Sequence, residues 1–202
     1  NSTTPTRYGF CGPEAEGCRL AARTPWQVMQ EAAEEAYDRS ATCAFTTFVG
    51  YEWTGSPGSN NIHRNVIFRN AAVPELPISY IDAPQPQTLW QRLAQECVQG
   101  QPGCDVLTIP HNSNISGGLM FQTVRADGQP LSREDALTRA LFEPLVEVIQ
   151  HKGESECHPG GGNTDELCGF EKLPYSNFTE KFIPWFAACL LYTSPSPRDE
   201  KV

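Results

Sequence analysis

The stretch Asp105-Val106-Leu107-Thr108-Ile109-Pro110-His111-Asn112-Ser113-Asn114 predicts a short buried strand that runs into a polar loop. Its first five residues are mostly apolar or β-branched, and Pro110 stops the run. A histidine directly after such a strand lies at the rim of a sheet or barrel, where α/β folds carry most of their chemistry. One such histidine is more often structural than functional, so the prediction depends on three similar placements elsewhere in the chain.

Two of these placements come from a predicted β-hairpin. Residues 44–53 are dense in aromatic and β-branched residues, which predicts a strand buried on both faces, and residues 62–69 predict a second strand. The turn between them is rich in Gly, Ser, Pro and Asn, as in a hairpin with a long loop. Glu52 near the end of the first strand would then face His63 at the start of the second.

Each of these two residues has a plainer interpretation. A carboxylate in so apolar a strand is costly unless it is paired, hydrogen-bonded or bound to a metal, and Glu52 could be satisfied by backbone amides or an arginine. His63 could be an exposed hairpin histidine. The fourth placement is a strand predicted over residues 144–150, which delivers His151 and carries Glu147 as a supporting group.

Helices are expected between these strands. Thr24-Pro25-Trp26-Gln27 has the composition of a helix start, a second helix begins near Pro86, and Ser132 begins a third that ends about Phe142. Because most strands alternate with helices, the fold class is α/β, with a largely parallel sheet or part of a barrel.

Eight cysteines in 202 residues indicate disulfide bonds. Three local pairs each bracket a loop that contains Gly or Pro: Cys11 with Cys18, Cys97 with Cys104, and Cys157 with Cys168. None has the short spacing of a zinc knuckle, so we expect disulfides and a periplasmic or secreted protein. The alternative is a cytosolic protein with reduced, buried cysteines. Cys43 and Cys189 have no local partner.

Composition excludes some function classes. The net charge of −9 and the pI of about 4.9 argue against a nucleic-acid partner and against anionic membranes. No apolar run approaches the roughly 20 residues that a membrane helix needs. The length of 202 residues is enough for one domain with a core of its own.

Four residues that can bind metal, Glu52, His63, His111 and His151, therefore fall at predicted strand ends. Imidazole and carboxylate suit Zn, Mn or Fe, and such a site lowers the pKa of water and polarises a phosphoryl or carbonyl oxygen. The loop over residues 112–121 could wrap the oxygens of a ligand, or could simply be flexible. The candidate substrate-binding residues are Asn112, Asn114, Arg64 and Glu154.

Four segments resemble, in the same order, a bacterial family of unknown function related to the polymerase and histidinol phosphatase (PHP) superfamily of metal-dependent phosphoesterases. They are Phe48-Val49-Gly50-Tyr51-Glu52-Trp53-Thr54, His63-Arg64-Asn65-Val66-Ile67-Phe68-Arg69, Ile109-Pro110-His111-Asn112-Ser113-Asn114 and the run from Glu147 to Glu156. The resemblance spans about residues 8–189. It implies a distorted α/β barrel with two or three metal ions at the C-terminal ends of the strands.

The resemblance also implies roles for individual residues. Glu52 matches the bridging carboxylate and His111 the mid-chain histidine ligand, and these two are the expected catalytic residues. His63 matches the histidine that heads the second hairpin strand, and His151 falls where the relatives vary. The His-x-His motif that opens the superfamily and the Asp-x-His motif that closes it are absent. We expect both to lie outside these 202 residues, which alone should show little or no hydrolase activity.

The last residues have a different character. Residues 190–202 resemble the translation of sequencing-adapter DNA, so we expect the domain to be 1–189 and the remainder to be an artefactual tail. The expected function is a metal-dependent phosphoesterase that acts on a small phosphoester through activated water. The alternatives are a disulfide-stapled extracytoplasmic binding module and an amidohydrolase-type enzyme that cleaves C–N or C–O bonds.

Overall fold

The computed structural model describes residues 5–113, 116, 118–125 and 127–148. Within these residues the fold is mixed α/β, with three α-helices and one three-stranded sheet. The helices are α1 (Glu16–Ala36), α2 (Pro86–Leu93) and α3 (Arg133–Phe142), and the strands are β1 (Val49–Trp53), β2 (Arg64–Phe68) and β3 (Val106–Pro110). None of the helices in this part of the chain is long and apolar enough to cross a membrane.

The sheet has the order β1-β2-β3, and its strands are antiparallel. Val49 on β1 pairs with Phe68 on β2, and Trp53 pairs with Arg64, so the predicted hairpin is confirmed. Next to β2, the Arg69 amide donates to the Asp105 carbonyl (2.9 Å) and the His111 amide donates to the His63 carbonyl (3.3 Å). The residue numbers of the bonded partners rise along β2 and fall along β3, as they do in an antiparallel pair.

The prediction of a largely parallel sheet is therefore wrong for the described residues, and their three strands do not close into a barrel. The alternation of helix and strand predicted parallel pairing because a right-handed crossover normally returns the chain in the same direction. Here β2 and β3 are joined by a long connection, which contains a Pro-rich segment before α2 and a π-helical turn over Ala94–Val98 after it. Such a connection allows an antiparallel return.

Two further predictions about elements need correction. Residues 144–148 contain no strand, and the rest of the predicted strand over 144–150 lies outside the described residues. Helix α1 begins at Glu16, not at Thr24, so that Pro25 lies inside it. Pro25 has no N–H to donate to the carbonyl of Ala21. Ala21 is exposed, so water can bond to that carbonyl instead. The start of α2 at Pro86 and the end of α3 at Phe142 agree with the sequence.

The described residues divide into two compact units, and the first contains the sheet and all three helices. It comprises the described residues of Asn1–Gly55, Arg64–Ile109 and Ser132–Pro144. Its core is aromatic, since the rings of Trp26, Tyr51 and Phe68 pack within 6.3 Å of one another, centroid to centroid. The indole N–H of Trp26 donates to the Pro74 carbonyl at 3.0 Å, which satisfies the one polar group that this buried ring carries.

The second unit contains the described residues of Ser56–His63, Pro110–Leu131 and Leu145–Val202. It has a 3-10 turn over Pro57–Ser59 and an isolated bridge between Val124 and Pro130. Ile62, Ser113 and Met120 are buried within it. This unit is built from loops, and it contains His63 and His111.

Two of the three predicted disulfides are present. Cys11 is bonded to Cys18 and Cys97 to Cys104, each closing a loop with a sequence separation of 7. Cys43 is a free, exposed thiol. The predicted Cys157–Cys168 bond and Cys189 lie outside the described residues. Disulfide bonds are typical of proteins that fold in an oxidising compartment.

Candidate metal centre

The hairpin of β1 and β2 positions the first two residues of the site. Glu52 pairs with Asn65 across the hairpin, and Trp53 pairs with Arg64, the first residue of β2. His63 directly precedes that residue, so the hairpin register brings Glu52 and His63 to the same end of the two strands. The strand containing Glu52 was expected to be buried on both faces. This expectation is wrong at Glu52, whose side chain is exposed.

The end of β3 positions the third residue. The amide of His111 donates to the His63 carbonyl at 3.3 Å, so the main chains of the two histidines are joined directly. Their rings lie edge to face, with centroids 5.8 Å apart and an interplanar angle of 75°. Antiparallel pairing of β2 and β3 thus places two imidazoles side by side, although they lie far apart along the sequence.

Glu52, His63 and His111 together form a group that could hold a metal ion. Each offers one ligand atom, and these atoms all lie within 4.8 Å of one another. The two histidines are half-buried and the carboxylate is exposed. Two imidazoles with one carboxylate are a donor set that fits Zn, Mn or Fe, and the exposed carboxylate leaves one side accessible to solvent.

Ser56 contacts the group from the hairpin loop. Its hydroxyl Oγ lies 2.9 Å from Nε2 of His63, so one ring nitrogen of this histidine already has a hydrogen-bonding partner. The main chain of His63 is also held, since its amide donates to the Asn61 side-chain oxygen at 2.8 Å. A partner on one imidazole nitrogen orients the ring and selects the tautomer, as is usual for histidines that bind metals. Sequence reasoning missed Ser56, because a hydroxyl in a Ser- and Gly-rich turn carries no distinguishing signal.

Arg64 has a buried environment that sequence reasoning did not anticipate. Its guanidinium donates to Glu143 at 2.8 Å, and the side chains of these two residues are only 1% and 3% exposed. Arg139 bonds the other oxygen of the same carboxylate at 3.2 Å. Burial lowers the pKa of the Arg64 guanidinium, and the adjacent Glu143 carboxylate opposes that shift. A substrate-binding role for Arg64 remains a prediction.

The first unit also contains a half-buried tyrosine, Tyr51, next to Glu52 in the sequence. Burial raises the pKa of Tyr51, whose hydroxyl accepts a hydrogen bond from the Ile78 amide at 3.1 Å. The phenol therefore stays protonated at physiological pH and serves as a neutral part of the core.

The remaining predicted site residues divide between the described and undescribed parts of the chain. Asn112 is half-buried, and its amide donates to the Glu147 carboxylate at 2.8 Å. Asn114, His151 and Glu154 lie outside the described residues, so the fourth metal ligand and two substrate contacts stay predictions.

A family model described as "Protein of unknown function (DUF3604)" matches residues 3–183, so the chain belongs to this family. No curated protein and no solved structure matches the chain. The family description names no reaction, and the function has to be argued from the site.

Proposed function

We propose that this member of the DUF3604 family is a metal-dependent hydrolase outside the cytoplasm, periplasmic or secreted, that acts on a small phosphoester. The observation that carries the proposal is the group of Glu52, His63 and His111, whose ligand atoms lie within 4.8 Å of one another. A divalent metal ion bound there would lower the pKa of a water molecule and polarise a phosphoryl oxygen.

The donor set supports a hydrolytic site in preference to a purely structural one. Structural zinc sites are usually closed and rich in cysteine, whereas catalytic sites use histidine and carboxylate and keep one position open. The carboxylate here is exposed and no cysteine belongs to the group. The two disulfides of the described residues use four cysteines for cross-linking instead.

The chain's own residues would have distinct tasks in this site. His63 and His111 would present neutral imidazole nitrogens from one side, and Ser56 would hold the ring of His63 in one orientation. Glu52 would supply the negative charge that offsets the cation. The resemblance to PHP-type phosphoesterases favours phosphorus over carbon as the reacting centre, and it adds a barrel-type fold and two or three metal ions to the proposal.

The rival is a disulfide-stapled binding module, and metal binding distinguishes the two. We expect the 202-residue chain to bind Zn²⁺, Mn²⁺ or Fe²⁺ stoichiometrically, as measured by elemental analysis after dialysis and by calorimetric titration. The double substitution Glu52→Ala with His111→Ala should abolish binding. Glu31→Ala, which removes an exposed carboxylate from α1, should leave it unchanged.

Metal-free protein after loading, or equal binding by the double variant, would overturn the metal site and favour the binding module. The reaction class needs a separate measurement, because the 202 residues are expected to show little turnover. The metal-loaded full-length protein should hydrolyse phosphoesters, with carboxylic esters and amides as controls. Preference for amides would favour the amidohydrolase alternative.

A further inference from the structure

The carboxylate of Glu147 bonds to the turn that carries His111. The Glu147 side-chain oxygen Oε2 accepts from the amide of Asn112 at 2.8 Å. The backbone amide of Glu147 donates to the carbonyl of Pro110 at 3.0 Å. Glu147 therefore binds the main chain immediately before and immediately after His111, through two independent hydrogen bonds.

The backbone at this turn has a conformation that benefits from being held. Asn112 has a φ of 56°, in the left-handed region that non-glycine residues seldom adopt, although asparagine tolerates it better than most. The hydrogen bond from the Asn112 amide to the Glu147 side chain stabilises this conformation, which sets the direction of the preceding residue, His111.

These contacts bear on the metal site because they hold the main chain on both sides of His111. Its amide is bonded to the His63 carbonyl, and its ring packs edge to face on the His63 ring at 5.8 Å. A shift of the 110–112 backbone would change where the imidazole points relative to the other two ligand atoms. Metal affinity falls when ligands lose the partners that orient them.

We propose that Glu147 is the positioning residue of His111: its carboxylate fixes the left-handed turn at Asn112 and so aims the imidazole at the metal. The metal part of this inference rests on the proposed function, while the positioning part concerns contacts within the metal-free protein. The role requires the reach of the side chain more than its charge.

A pair of substitutions separates reach from charge. Glu147→Gln keeps the side-chain length and an oxygen acceptor but removes the charge, whereas Glu147→Asp keeps the charge but shortens the side chain. We expect calorimetric titration with Zn²⁺ to give about 10- to 100-fold weaker binding for Glu147→Asp and Glu147→Ala. Glu147→Gln should lose less than about tenfold. If Glu147 bound the metal directly or acted only through its charge, Glu147→Gln would bind Zn²⁺ more weakly than Glu147→Asp. That result would overturn the proposal.

A second measurement does not depend on the metal. In metal-free protein, nuclear Overhauser contacts between the His63 and His111 rings should be present in the unchanged chain and in Glu147→Gln. They should weaken in Glu147→Asp, together with faster amide exchange at Asn112. Unchanged ring contacts in Glu147→Asp would overturn the positioning role whether or not metal binds.

The two measurements also keep the two proposals apart. If the unchanged chain binds no metal but the ring contacts respond to Glu147 as expected, the positioning role is supported and the metal-dependent function fails. If metal binds to every Glu147 variant with equal affinity, the metal site is supported and the positioning role fails. Thermal unfolding of each variant shows whether a loss comes from unfolding, and Glu147→Gln serves as the folded reference.

Discussion

Two groups of charged residues at the β1–β2 hairpin differ in one physical respect, which is their access to water. Arg64 and Glu143 are 1% and 3% exposed and are joined by a hydrogen-bonded ion pair at 2.8 Å. Glu52 directly precedes Trp53, which pairs with Arg64 across the hairpin. Its exposed carboxylate is grouped with the imidazoles of His63 and His111. Burial requires the first pair to be compensated by protein charges, whereas the Glu52 carboxylate of the second group is accessible to solvent.

The comparison shows that charge near a sheet end does not by itself indicate a site. A buried ion must be compensated inside the protein, since leaving it unpaired costs several kcal/mol. An exposed carboxylate has no such requirement, because water solvates it. Exposed clusters of metal-capable side chains are therefore candidates for function, and buried ion pairs are candidates for structure. Three substitutions test this division.

The largest effect is expected at Arg64. Arg64→Ala removes one of the two arginines that pair with the buried Glu143 carboxylate among the described residues, and we expect a loss of about 3–5 kcal/mol in the free energy of unfolding. Urea unfolding measures this loss. The double variant Arg64→Met with Glu143→Leu should recover most of it, because it removes both charges. A loss below about 1 kcal/mol in Arg64→Ala would show that the pair does not contribute in the way its burial indicates.

An intermediate effect is expected at Asp82, whose side chain is 14% exposed and accepts from Arg7. Burial raises the pKa of the Asp82 carboxyl, but hydrogen bonds from Ser79 and Arg7 outweigh that effect and hold the pKa below its ordinary value of 3.8. A depressed carboxyl pKa contributes stability above the unfolded-state pKa, and this stability is lost as pH falls through the folded-state pKa.

Asp82→Asn should therefore lower the free energy of unfolding at pH 7 and reduce its decline below about pH 4. Urea unfolding at a series of pH values from neutral to acid measures both. Parallel pH profiles for the two proteins would show that this carboxyl does not contribute to acid unfolding.

The smallest effect on stability is expected at Glu52. Because this side chain is exposed, Glu52→Ala should change the free energy of unfolding of the metal-free chain by no more than about 0.5 kcal/mol. The same substitution should sharply weaken metal binding. A large loss of stability without metal would place Glu52 with Arg64 as a structural residue, and the contrast between the two groups would fail.

The predictions that succeeded from sequence rest on local physics. Ser132 with Asp135 forms the capping box at the start of α3, and each satisfies a donor of the other. The hairpin follows from two β-rich runs with a polar turn between them, and it brought Glu52 and His63 together as expected. The Cys11–Cys18 and Cys97–Cys104 bonds follow from short spacing across loops.

The predictions that failed depended on longer-range information. The direction of β3 relative to β2 depends on how the whole connection between them packs, and no local pattern encodes it. The exposure of Glu52 also could not be read from its neighbours, since apolar residues on both sides indicated burial on both faces. Helix α1 begins before Pro25, and the disulfide-bonded Cys18 lies in its first turn, whereas the sequence favoured proline at the first helical position.

The sequence by itself determined which residues could form a metal site, because imidazole and carboxylate are read directly from the chain and the hairpin pairs two of them. Only the tertiary structure decided which of them meet. The antiparallel pairing of β2 with β3 joins His63 to His111, and Glu147 contacts the turn at Asn112 at a sequence separation of 35. Contacts over such separations arise from the packing of the folded chain. The conformations of turns, caps and short disulfide loops are determined by residues nearby in the sequence.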